Sequence, residues 1–424
     1  MLFSPRSFLA VWFLMPLFLS GCQESGPSLP LNYPDALRSD HTDDYFGTVV
    51  ADPYRWMEDL EDPPLAEWVD AQNEIAAPLL ESLPGHEAIQ ARLTELWNYE
   101  RYGLPSKEGG FYFFTVNDGL QDQDVLYVAE SLDAEPRVLI DPNSFSDDAT
   151  IALAGTSVSP DGRYIAYATS DGGTDWNTWH IRDVATGEDL PDVVAYTKFT
   201  GASWLQNGSG FFYSRHPLGP DGQGDGQAQV ELFFHRVGSP QEADELVYSV
   251  EDSESRNPYG EVTEDGRYLI INLFEGYNEN GVYYRDLGAP SGGVVRLLDA
   301  WDALYTFVGN EGTRFFFHTN NGAPRNRLIA IDIRNPDSSA WEEVIPEAEE
   351  TLESVSFVGG RFLAQYLRDA NSLVRVFGAD GALIRDVQLP GIGTAGGFGG
   401  HPHDSETFYS FQSYTVPPTL YLSL

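Results

Sequence analysis

The sequence is poor in cysteine and in basic residues, and both shortages exclude classes of protein. Cys22 is the single cysteine among 424 residues, so no intramolecular disulfide can form. Lysine and arginine total 24 against 65 aspartates and glutamates, which gives a formal net charge of −41. Nucleic-acid binding needs clustered basic side chains. We therefore predict no nucleic-acid partner, and we expect the acidic excess mainly to confer solubility.

The sequence also lacks the short motifs of common catalytic sites. It contains no G-x-S-x-G nucleophile motif, no H-E-x-x-H zinc motif and no phosphate-binding glycine motif between a strand and a helix. His401 and His403 form a close histidine pair that could bind a metal, but a surface loop is the favoured interpretation. The acidic, glycine-rich run 221–226 lacks the spacing of a defined calcium site. We expect no metal and no cofactor.

Residues 1–22 have the pattern of a signal peptide. Arg6 precedes an apolar run over 8–19, which is too short to span a bilayer. The run ends in L-S-G-C, which resembles a bacterial lipobox whose cysteine, here Cys22, is lipidated. The alternative is an ordinary signal peptide with a chance cysteine. Because no aspartate follows Cys22, we expect a lipid anchor in the bacterial cell envelope, in the outer membrane facing the periplasm.

Residues 23–100 divide into two predicted parts. Residues 23–50 are polar and contain proline, which predicts a tether. Residues 51–100 form a predicted helical segment, because apolar residues fall on one helical face over 64–80 and again over 86–97. Pro78 is expected to kink or end the first helix.

Residues 101–424 show a long-period repeat. Short runs rich in Tyr, Phe, Val and Ile alternate with turns of Gly, Asp and Asn. The turn signals recur about every 50 residues. Their positions are Gly109, Asp161, Asn207, Asp265, Glu311, Gly359 and Asp404. A unit of this length holds about four short strands, and radial repetition of such units makes a β-propeller. The sequence therefore predicts an all-β fold, a seven-bladed propeller preceded by a short helical segment.

The motif DGRY occurs twice in this region, at 161–164 and at 265–268. Asp-Gly between apolar runs favours a tight hairpin turn, because glycine accepts the positive φ that such a turn needs. We interpret the repeated motif as a turn that recurs with the fold rather than as a ligand site.

Several segments resemble the prolyl oligopeptidase family. The most specific are DPYRWMED at 52–59 and WVDAQNE at 68–74; GTDW at 173–176, LPD at 190–192 and the DGRY segments also match. The resemblance runs from Tyr33 to the last residue. It implies a serine endopeptidase that cleaves short peptides after proline. It also implies that the propeller limits access to an α/β-hydrolase domain, on which the N-terminal helical segment packs.

The catalytic residues of that family have no counterpart in this sequence. The family's Ser, Asp and His lie in the hydrolase domain after the propeller, whereas the 424 residues end within the predicted seventh blade. We therefore expect a chain that is inactive alone and whose partners are its missing hydrolase domain and short proline-containing peptides. The resemblance puts Ile181, Asn257, Phe274 and Tyr277 at substrate-facing positions, where Asn257 is a polar departure. Ordinary strand or loop residues are the alternative for each.

Two other functions stay open. The first is a lipid-anchored propeller that binds peptides or proteins without catalysis. The second is a scaffold propeller of the WD type, which the absence of regular W-D repeat endings disfavours.

Overall fold

The computed structural model describes residues 32–60, 62–219, 222–253, 255–289 and 292–423. The chain divides into two compact units between Leu96 and Trp97. The predicted signal peptide and Cys22 lie outside the described residues. Within the described ranges, no helix is long and apolar enough to cross a membrane.

The first unit contains a hairpin and two helices. Strand β1 (Thr42–Tyr45) pairs antiparallel with β2 (Thr48–Ala51), and Phe46 and Gly47 between them both have positive φ. Two such residues make a turn that matches the twist of the strands, which is why a hairpin occupies part of the predicted tether. Helix α1 spans Pro63–Glu81 and α2 spans His86–Trp97.

The sequence predicted that Pro78 would kink or end α1. It lies inside the helix, which continues to Glu81. A proline removes only the hydrogen bond that its own nitrogen would donate, and in the last turn few later bonds depend on it.

The second unit is a seven-bladed β-propeller, as predicted, and the strands within each blade pair antiparallel. Blade 1 contains β3 (Arg101–Tyr102), β4 (Ser106–Glu108), β5 (Phe111–Asn117), β6 (Val125–Ala129) and β7 (Arg137–Ile140). Blade 2 contains β8 (Ile151–Val158), β9 (Tyr164–Asp171), β10 (Asn177–Asp183) and β11 (Asp189–Thr197). Blade 3 contains β12 (Ser203–Trp204), β13 (Gly210–Arg215), β14 (Glu231–Arg236) and β15 (Glu245–Tyr248).

Blades 4 to 6 repeat the four-stranded plan. Blade 4 contains β16 (Asn257–Val262), β17 (Tyr268–Phe274), β18 (Asn280–Asp286) and β19 (Val295–Leu298). Blade 5 contains β20 (Tyr305–Glu311), β21 (Arg314–Thr319), β22 (Arg327–Asp332) and β23 (Glu342–Ile345). Blade 6 contains β24 (Thr351–Val358), β25 (Arg361–Arg368), β26 (Asn371–Gly378) and β27 (Leu383–Asp386). Blade 7 has three strands among the described residues: β28 (Thr394–Gly399), β29 (Thr407–Gln412) and β30 (Thr419–Ser423).

Apolar side chains buried between consecutive sheets hold the blades together. Between blades 2 and 3, for example, Trp179 of β10 lies in one cluster with Trp204 and Phe211 of the next blade. Strand β9 is buried on both faces, because a central strand of a blade is covered by both neighbouring sheets. Six of the seven predicted turn positions fall at the junction of the first and second strands of a blade. Gly109 of blade 1 falls at the equivalent place, between β4 and β5, because β3 and β4 both pair with β5. These junctions therefore lie at one end of the propeller.

The two DGRY copies form the same turn. In the first, the Ser159 hydroxyl donates to Asp161 Oδ1 at 2.6 Å, and Gly162 has a φ of 70° that glycine adopts without strain. In the second, Thr263 Oγ1 donates to Asp265 Oδ1, also at 2.6 Å. DGRY is a turn, as predicted, and it occupies equivalent places in blades 2 and 4.

Candidate functional site

The first strand of each blade lines the central channel. Ser157 of β8 donates from its hydroxyl to the Ala202 carbonyl, one residue before β12, at 2.6 Å. Ser356 of β24 donates in the same way to the Phe398 carbonyl of β28 at 2.6 Å. These contacts place the first strands of neighbouring blades next to each other around the axis of the propeller. Side chains that point away from the blade cores on these strands therefore face the channel.

On β16 the channel face carries Asn257, Tyr259 and Glu261. Side chains alternate between the two faces of a strand, so these three residues share one face. Gly260 faces the other way, because a Cβ on it would lie 2.9 Å from Leu232 of blade 3. The channel face of β16 thus carries the phenol of Tyr259 and the carboxyl group of Glu261, whereas the Asn257 amide oxygen accepts a hydrogen bond from the Val230 backbone N–H, next to β14, at 3.2 Å.

Three of the four predicted substrate-facing residues lie together. Asn257 is directly opposite Phe274 in the pairing of β16 with β17, and the Phe274 ring lies 6.1 Å from that of Tyr259. Tyr277 is in the loop that follows β17 and is 94% exposed. These residues form the end of the blade 4 channel wall that lies away from the DGRY turn.

Ile181 lies elsewhere. It is in the third strand of blade 2, is 1% exposed, and packs in the core cluster with Ala166 and Trp204. This burial does not fit the substrate-facing place predicted for it, because a side chain enclosed between two blades cannot contact a ligand in this conformation.

At the opposite end of the channel, a histidine joins turns of three blades. His401, between β28 and β29, places Nε2 at 2.9 Å from Glu108 Oε1 of blade 1 and Nδ1 at 2.8 Å from Glu264 Oε2 of blade 4. Blades 7 and 4 are not neighbours in the ring, so the second contact crosses the channel. We call Glu108, Glu264 and His401 the mouth bridge.

The mouth bridge is charged at neutral pH. Hydrogen bonds from the ring to Glu108 and Glu264 raise the pKa of His401 to about 11, against the opposing effect of burial. The imidazolium therefore stays protonated over the whole physiological range. The sequence analysis favoured a surface loop for the His401–His403 pair, whereas the His401 side chain is only 18% exposed and ion-paired.

The turns around the mouth also contact one another directly. A Cβ on Gly109 would lie 2.3 Å from the Gly162 backbone of blade 2, so the two turns meet at backbone distance. Asn310 Nδ2 donates to Asp265 Oδ2 at 2.8 Å, which joins blade 5 to blade 4. The Gly359 amide of blade 6 donates to the carbonyl of His401. Contacts between turns therefore join blade 1 to blade 2, blade 4 to blade 5, and blade 6 to blade 7 at this end of the propeller.

Two cavities adjoin the mouth bridge, and all three of its residues line both. One cavity, of about 350 Å³, is otherwise lined by turn residues such as Gly110 and Gln206. The other, of about 440 Å³, is lined by residues of the first strands and their flanks, including Leu104 and Gly397. The mouth bridge thus separates an outer vestibule from the inner end of the channel.

Polar side chains also join blade 7 to blade 1. Lys107 Nζ lies 3.1 Å from Glu406 Oε1, and the Tyr112 hydroxyl donates to the same carboxylate. The hydrogen bonds from Tyr112 and Lys107 lower the pKa of Glu406 although burial opposes them. The Tyr112 and Phe408 rings meet edge to face at 6.2 Å. The last blade is therefore fixed to the first beside the mouth.

Glu261 differs from these paired groups. Its side chain is exposed to the channel, although the channel wall surrounds it. The wall displaces part of the water around the carboxylate, and this desolvation, with a smaller contribution from the charge of Glu264, raises the pKa of Glu261 to about 7. A carboxyl group with such a pKa is partly ionised at neutral pH.

A second histidine cluster is enclosed between blades 2 and 3. His235 Nδ1 lies 2.8 Å from Asp244 Oδ1 and its Nε2 lies 3.0 Å from Asp192 Oδ1. The Tyr213 hydroxyl donates to Asp244 Oδ2 at 2.6 Å. Among the described residues, no serine or cysteine bonds to His235. The cluster lacks a nucleophile and joins two blades, so its chemistry is structural.

Within the described ranges, no group of three or more His, Cys, Asp or Glu side chains has the arrangement of a metal site. Exposed aromatic side chains lie at one end of the channel, and the mouth bridge lies at the other.

This fold defines the chain as a seven-bladed propeller domain with a helical unit before it in the sequence. Residues 34–423 match the family model described as the prolyl oligopeptidase N-terminal β-propeller domain. The chain belongs to the prolyl oligopeptidase family.

Relatives with known names agree with this assignment. A prolyl endopeptidase of Elizabethkingia miricola is 37% identical over 393 residues, which cover 92% of this chain and 55% of the relative. The enzyme of Elizabethkingia meningoseptica is 35% identical with the same coverage. The chain thus spans little more than half the length of these relatives, which are prolyl endopeptidases by name.

Solved structures give the same result. A structure from a mechanistic study of two prolyl endopeptidases and their inter-domain dynamics superimposes with a TM-score of 0.84 at 32% identity. Prolyl oligopeptidase B from Galerina marginata, solved with a 35mer hydrolysis and macrocyclization substrate, superimposes with a TM-score of 0.81 at 25% identity. Each match covers 92% of this chain and 58% of the other.

The sequence analysis missed the mouth bridge and Glu261. One signal could have indicated the first. The seven turn signals occupy equivalent places, so the turns must meet in a ring, and Glu108, Glu264 and His401 all lie within a few residues of a turn signal. Period-two alternation from Asn257 could have placed Glu261 on the channel face.

Proposed function

We propose that this chain is the propeller part of a serine endopeptidase that cleaves short peptides after proline. The observation that carries the proposal is the family match over residues 34–423, which includes the helical unit as well as the propeller. The Ser, Asp and His of the reaction would come from a hydrolase domain beyond the propeller, and the 424 residues alone would be inactive.

The helices of the first unit support a partner domain. Neither helix has a buried residue, and α2 exposes Ile89, Leu93, Leu96 and Trp97 at half or more of their surface. Exposed apolar groups of this extent mark interaction surfaces. In the proposed enzyme the hydrolase domain covers them.

The propeller end away from the mouth supports the same arrangement. In an antiparallel blade, the loops that join strands two and three and those that lead to the next blade lie at that end. They carry large exposed apolar residues. These are Phe199, Tyr277, Ile392 and Tyr414. In the proposed enzyme this end faces the active site, and the mouth bridge keeps the other end closed, so the propeller limits access to short peptides.

The test compares two proteins, the 424-residue chain and a form continued to the length of the relatives. A fluorogenic proline-containing peptide should be cleaved only by the longer form. A fluorophosphonate that reacts with activated serines should label only the longer form. Cleavage by the 424-residue chain, with contaminating peptidase excluded, would contradict the proposal, and so would an inactive, unlabelled longer form that is folded.

The alternative is a propeller that binds peptides without catalysis. It is favoured if the longer form binds proline-containing peptides, does not cleave them and is not labelled by the fluorophosphonate.

We also propose a lipid anchor at Cys22. The L-S-G-C run after the apolar segment supports it. Cells fed radiolabelled palmitate should incorporate the label into the outer-membrane form of the protein, and Cys22→Ser should remove the label. Labelling that persists in Cys22→Ser would refute the anchor.

A further inference from the structure

An ion pair closes the β16–β17 strand pair at the end of blade 4 that lies away from the mouth, which we call the far end. Arg256 immediately precedes β16 and Glu275 immediately follows β17. The two strands pair antiparallel with Asn257 opposite Phe274. Arg256 and Glu275 therefore occupy the next cross-strand position, where opposite charges favour the pairing. Arg256 Nε lies 3.0 Å from Glu275 Oε2.

The Glu275 carboxylate accepts hydrogen bonds on both of its oxygens. The Ser255 hydroxyl donates to Oε1 at 2.5 Å, and Arg256 Nε donates to Oε2. The hydrogen bonds from Ser255 and Arg256 lower the pKa of Glu275 below its ordinary value. The carboxylate is therefore charged at neutral pH and holds the segment that contains both donors.

Arg256 also stacks on an aromatic ring of the next inter-blade connection. Its guanidinium carbon lies 4.1 Å from the centre of the Trp301 ring, between β19 and β20. Trp301 has a φ of 52°, a conformation that bulky residues rarely adopt. Its Nε1 donates to Asp299 Oδ1 at 3.3 Å, and a Cβ on Gly281 would lie 3.2 Å from the ring. Strained residues of this kind persist where several neighbours fix them, and they concentrate at functional sites.

The loop that follows β17 depends on its two attachments. Residues 276–279 are exposed and include Tyr277. Within the described part of the chain, these four residues form no hydrogen bond or ion pair of their own. Asn280 fixes one end of the loop through its side-chain bonds to the backbone of Tyr305. Glu275 fixes the other end through Arg256. The position of Tyr277 is therefore set by these attachments.

We propose that Arg256, held between Glu275 and Trp301, is a positioning residue that fixes the 276–279 loop so that Tyr277 contacts a bound peptide. The inference rests on the proposed function, in which the far end of the propeller receives peptides. Arginine suits this place because its planar guanidinium can stack on an indole and donate to a carboxylate at the same time. Arg256 acts through Tyr277 and takes no part in bond cleavage.

Arg267 provides a matched control in the same blade. It lies at the mouth end, where its Nη2 is 3.2 Å from Asp286 Oδ2 and its guanidinium carbon is 5.1 Å from the centre of the Tyr268 ring. Arg267→Gln therefore removes an ion pair and a ring contact, and it changes the net charge by the same amount as Arg256→Gln.

The first experiment measures binding of a fluorescein-labelled, proline-containing peptide to the 424-residue chain by anisotropy. Tyr277→Ala should weaken binding about tenfold and Arg256→Gln about fivefold. The double variant should bind no more weakly than Tyr277→Ala, because the two residues act as one unit. Arg256→Lys should recover only part of the loss, and Arg267→Gln should stay within twofold of the parent.

Three outcomes would overturn the proposal. In the first, the loss in the double variant equals the product of the two single losses, so that Arg256 acts independently of Tyr277. In the second, Arg267→Gln loses as much affinity as Arg256→Gln, which would be a general effect of net charge. Glu275→Gln breaks the same ion pair from its other side and leaves the stacking of Arg256 on Trp301 in place. Unchanged peptide binding by Glu275→Gln is the third.

A kinetic measurement separates this inference from the proposed function. In the form continued to the length of the relatives, Arg256→Gln should raise KM about fivefold and change kcat less than twofold. If that form cleaves the peptide and Arg256→Gln leaves KM unchanged, the role of Arg256 fails and the peptidase proposal stands. If it cleaves nothing but binds the peptide with the same dependence on Arg256 and Tyr277, the peptidase proposal fails and the role of Arg256 stands.

Discussion

Two regions of the propeller contain the same arrangement, a histidine side chain bound to two carboxylates, in different surroundings. Between blades 2 and 3, His235 bridges Asp192 and Asp244, and all three side chains are at most 1% exposed. At the channel mouth, His401 bridges Glu108 and Glu264, which are 23% and 46% exposed. The first bridge joins neighbouring blades and has no route to solvent. The second crosses the channel and borders two cavities.

The difference separates a structural role from a functional one. Burial alone would lower the pKa of His235, but the hydrogen bonds and charges of Asp244 and Asp192 outweigh it and raise that pKa. Removing the imidazolium there leaves two carboxylates in a dry interface. At the mouth, water can bind to Glu108 and Glu264 and so replace part of the interaction that is lost with the His401 imidazolium. We therefore expect the first bridge to govern stability and the second to govern access to the channel.

The largest expected effect is at the bridge between blades 2 and 3. His235→Phe removes both hydrogen bonds and leaves uncompensated buried charge, so it should lower the free energy of unfolding by about 3–5 kcal/mol. Urea unfolding at pH 6 measures the loss. Because the pKa of His235 is raised in the folded state, its contribution is complete below its ordinary pKa and is lost as pH rises through the raised value.

His180→Gln is the control for this substitution, because His180 is half-buried in blade 2 and pairs with no carboxylate in the described part of the chain. It should cost less than about 1 kcal/mol. Equal losses in the two variants would mean that the carboxylate pairing of His235 is unimportant.

The next effect is at the ring of turns around the mouth. Gly109 and Gly110 have φ of 56° and 88°, but a Cβ on Gly109 would lie 2.3 Å from Gly162, whereas a Cβ on Gly110 meets nothing within 4 Å. Gly110→Ala should cost about 1 kcal/mol for its backbone alone. Gly109→Ala should cost about 2 kcal/mol more, because two backbones must separate. Similar thermal unfolding of the two variants would show that the turns do not hold each other.

A smaller loss of stability is expected at the mouth bridge. His401→Gln should cost about 1–2 kcal/mol, because the partners are partly exposed. The pKa of about 11 lies above the ordinary value of 6.5, so the stabilisation is complete below pH 6.5 and is lost progressively as pH rises from there through about 11. The difference from the parent in urea unfolding should therefore shrink between pH 7 and 9. A difference that stays constant over this range would contradict the raised pKa.

A second experiment measures how far the mouth bridge restricts access to the channel. Thr156 of β8 is exposed on the channel face, so Thr156→Cys in a Cys22→Ser background reports entry of a bulky maleimide. His401→Gln should increase the labelling rate at this position. Ser338→Cys, on an exposed turn of blade 5, should label at the same rate in both backgrounds. An unchanged rate at Thr156→Cys would show that the reagent reaches this position without passing the mouth bridge.

The sequence predicted the repeating blades well and the contacts between the turns of different blades poorly. Blade number and turn positions follow from local chemistry, because each Asp-Gly or Asn-Gly turn acts within a few residues. The contact of His401 with Glu264 joins residues 137 apart, and only closure of the ring brings them together. Ile181 was misplaced for a different reason. It shares a strand face with the buried Trp179, so alternation within 177–183 could have excluded it from the channel.

The smallest expected effect is at Glu261, where substitution should increase rather than decrease the free energy of unfolding. The folded state raises the pKa of Glu261 from 4.5 to about 7, so it favours the protonated form. Stability is therefore retained below pH 4.5 and lost as pH rises towards and through 7. Glu261→Gln should raise the free energy of unfolding by about 1 kcal/mol at pH 8.5, a figure reduced for access of water from the channel, and should change little at pH 4.5. Glu188→Gln, in the exposed hairpin between β10 and β11, should show no such gain. A Glu261→Gln variant that is less stable than the parent at pH 8.5 would mean that the carboxylate is satisfied within the protein.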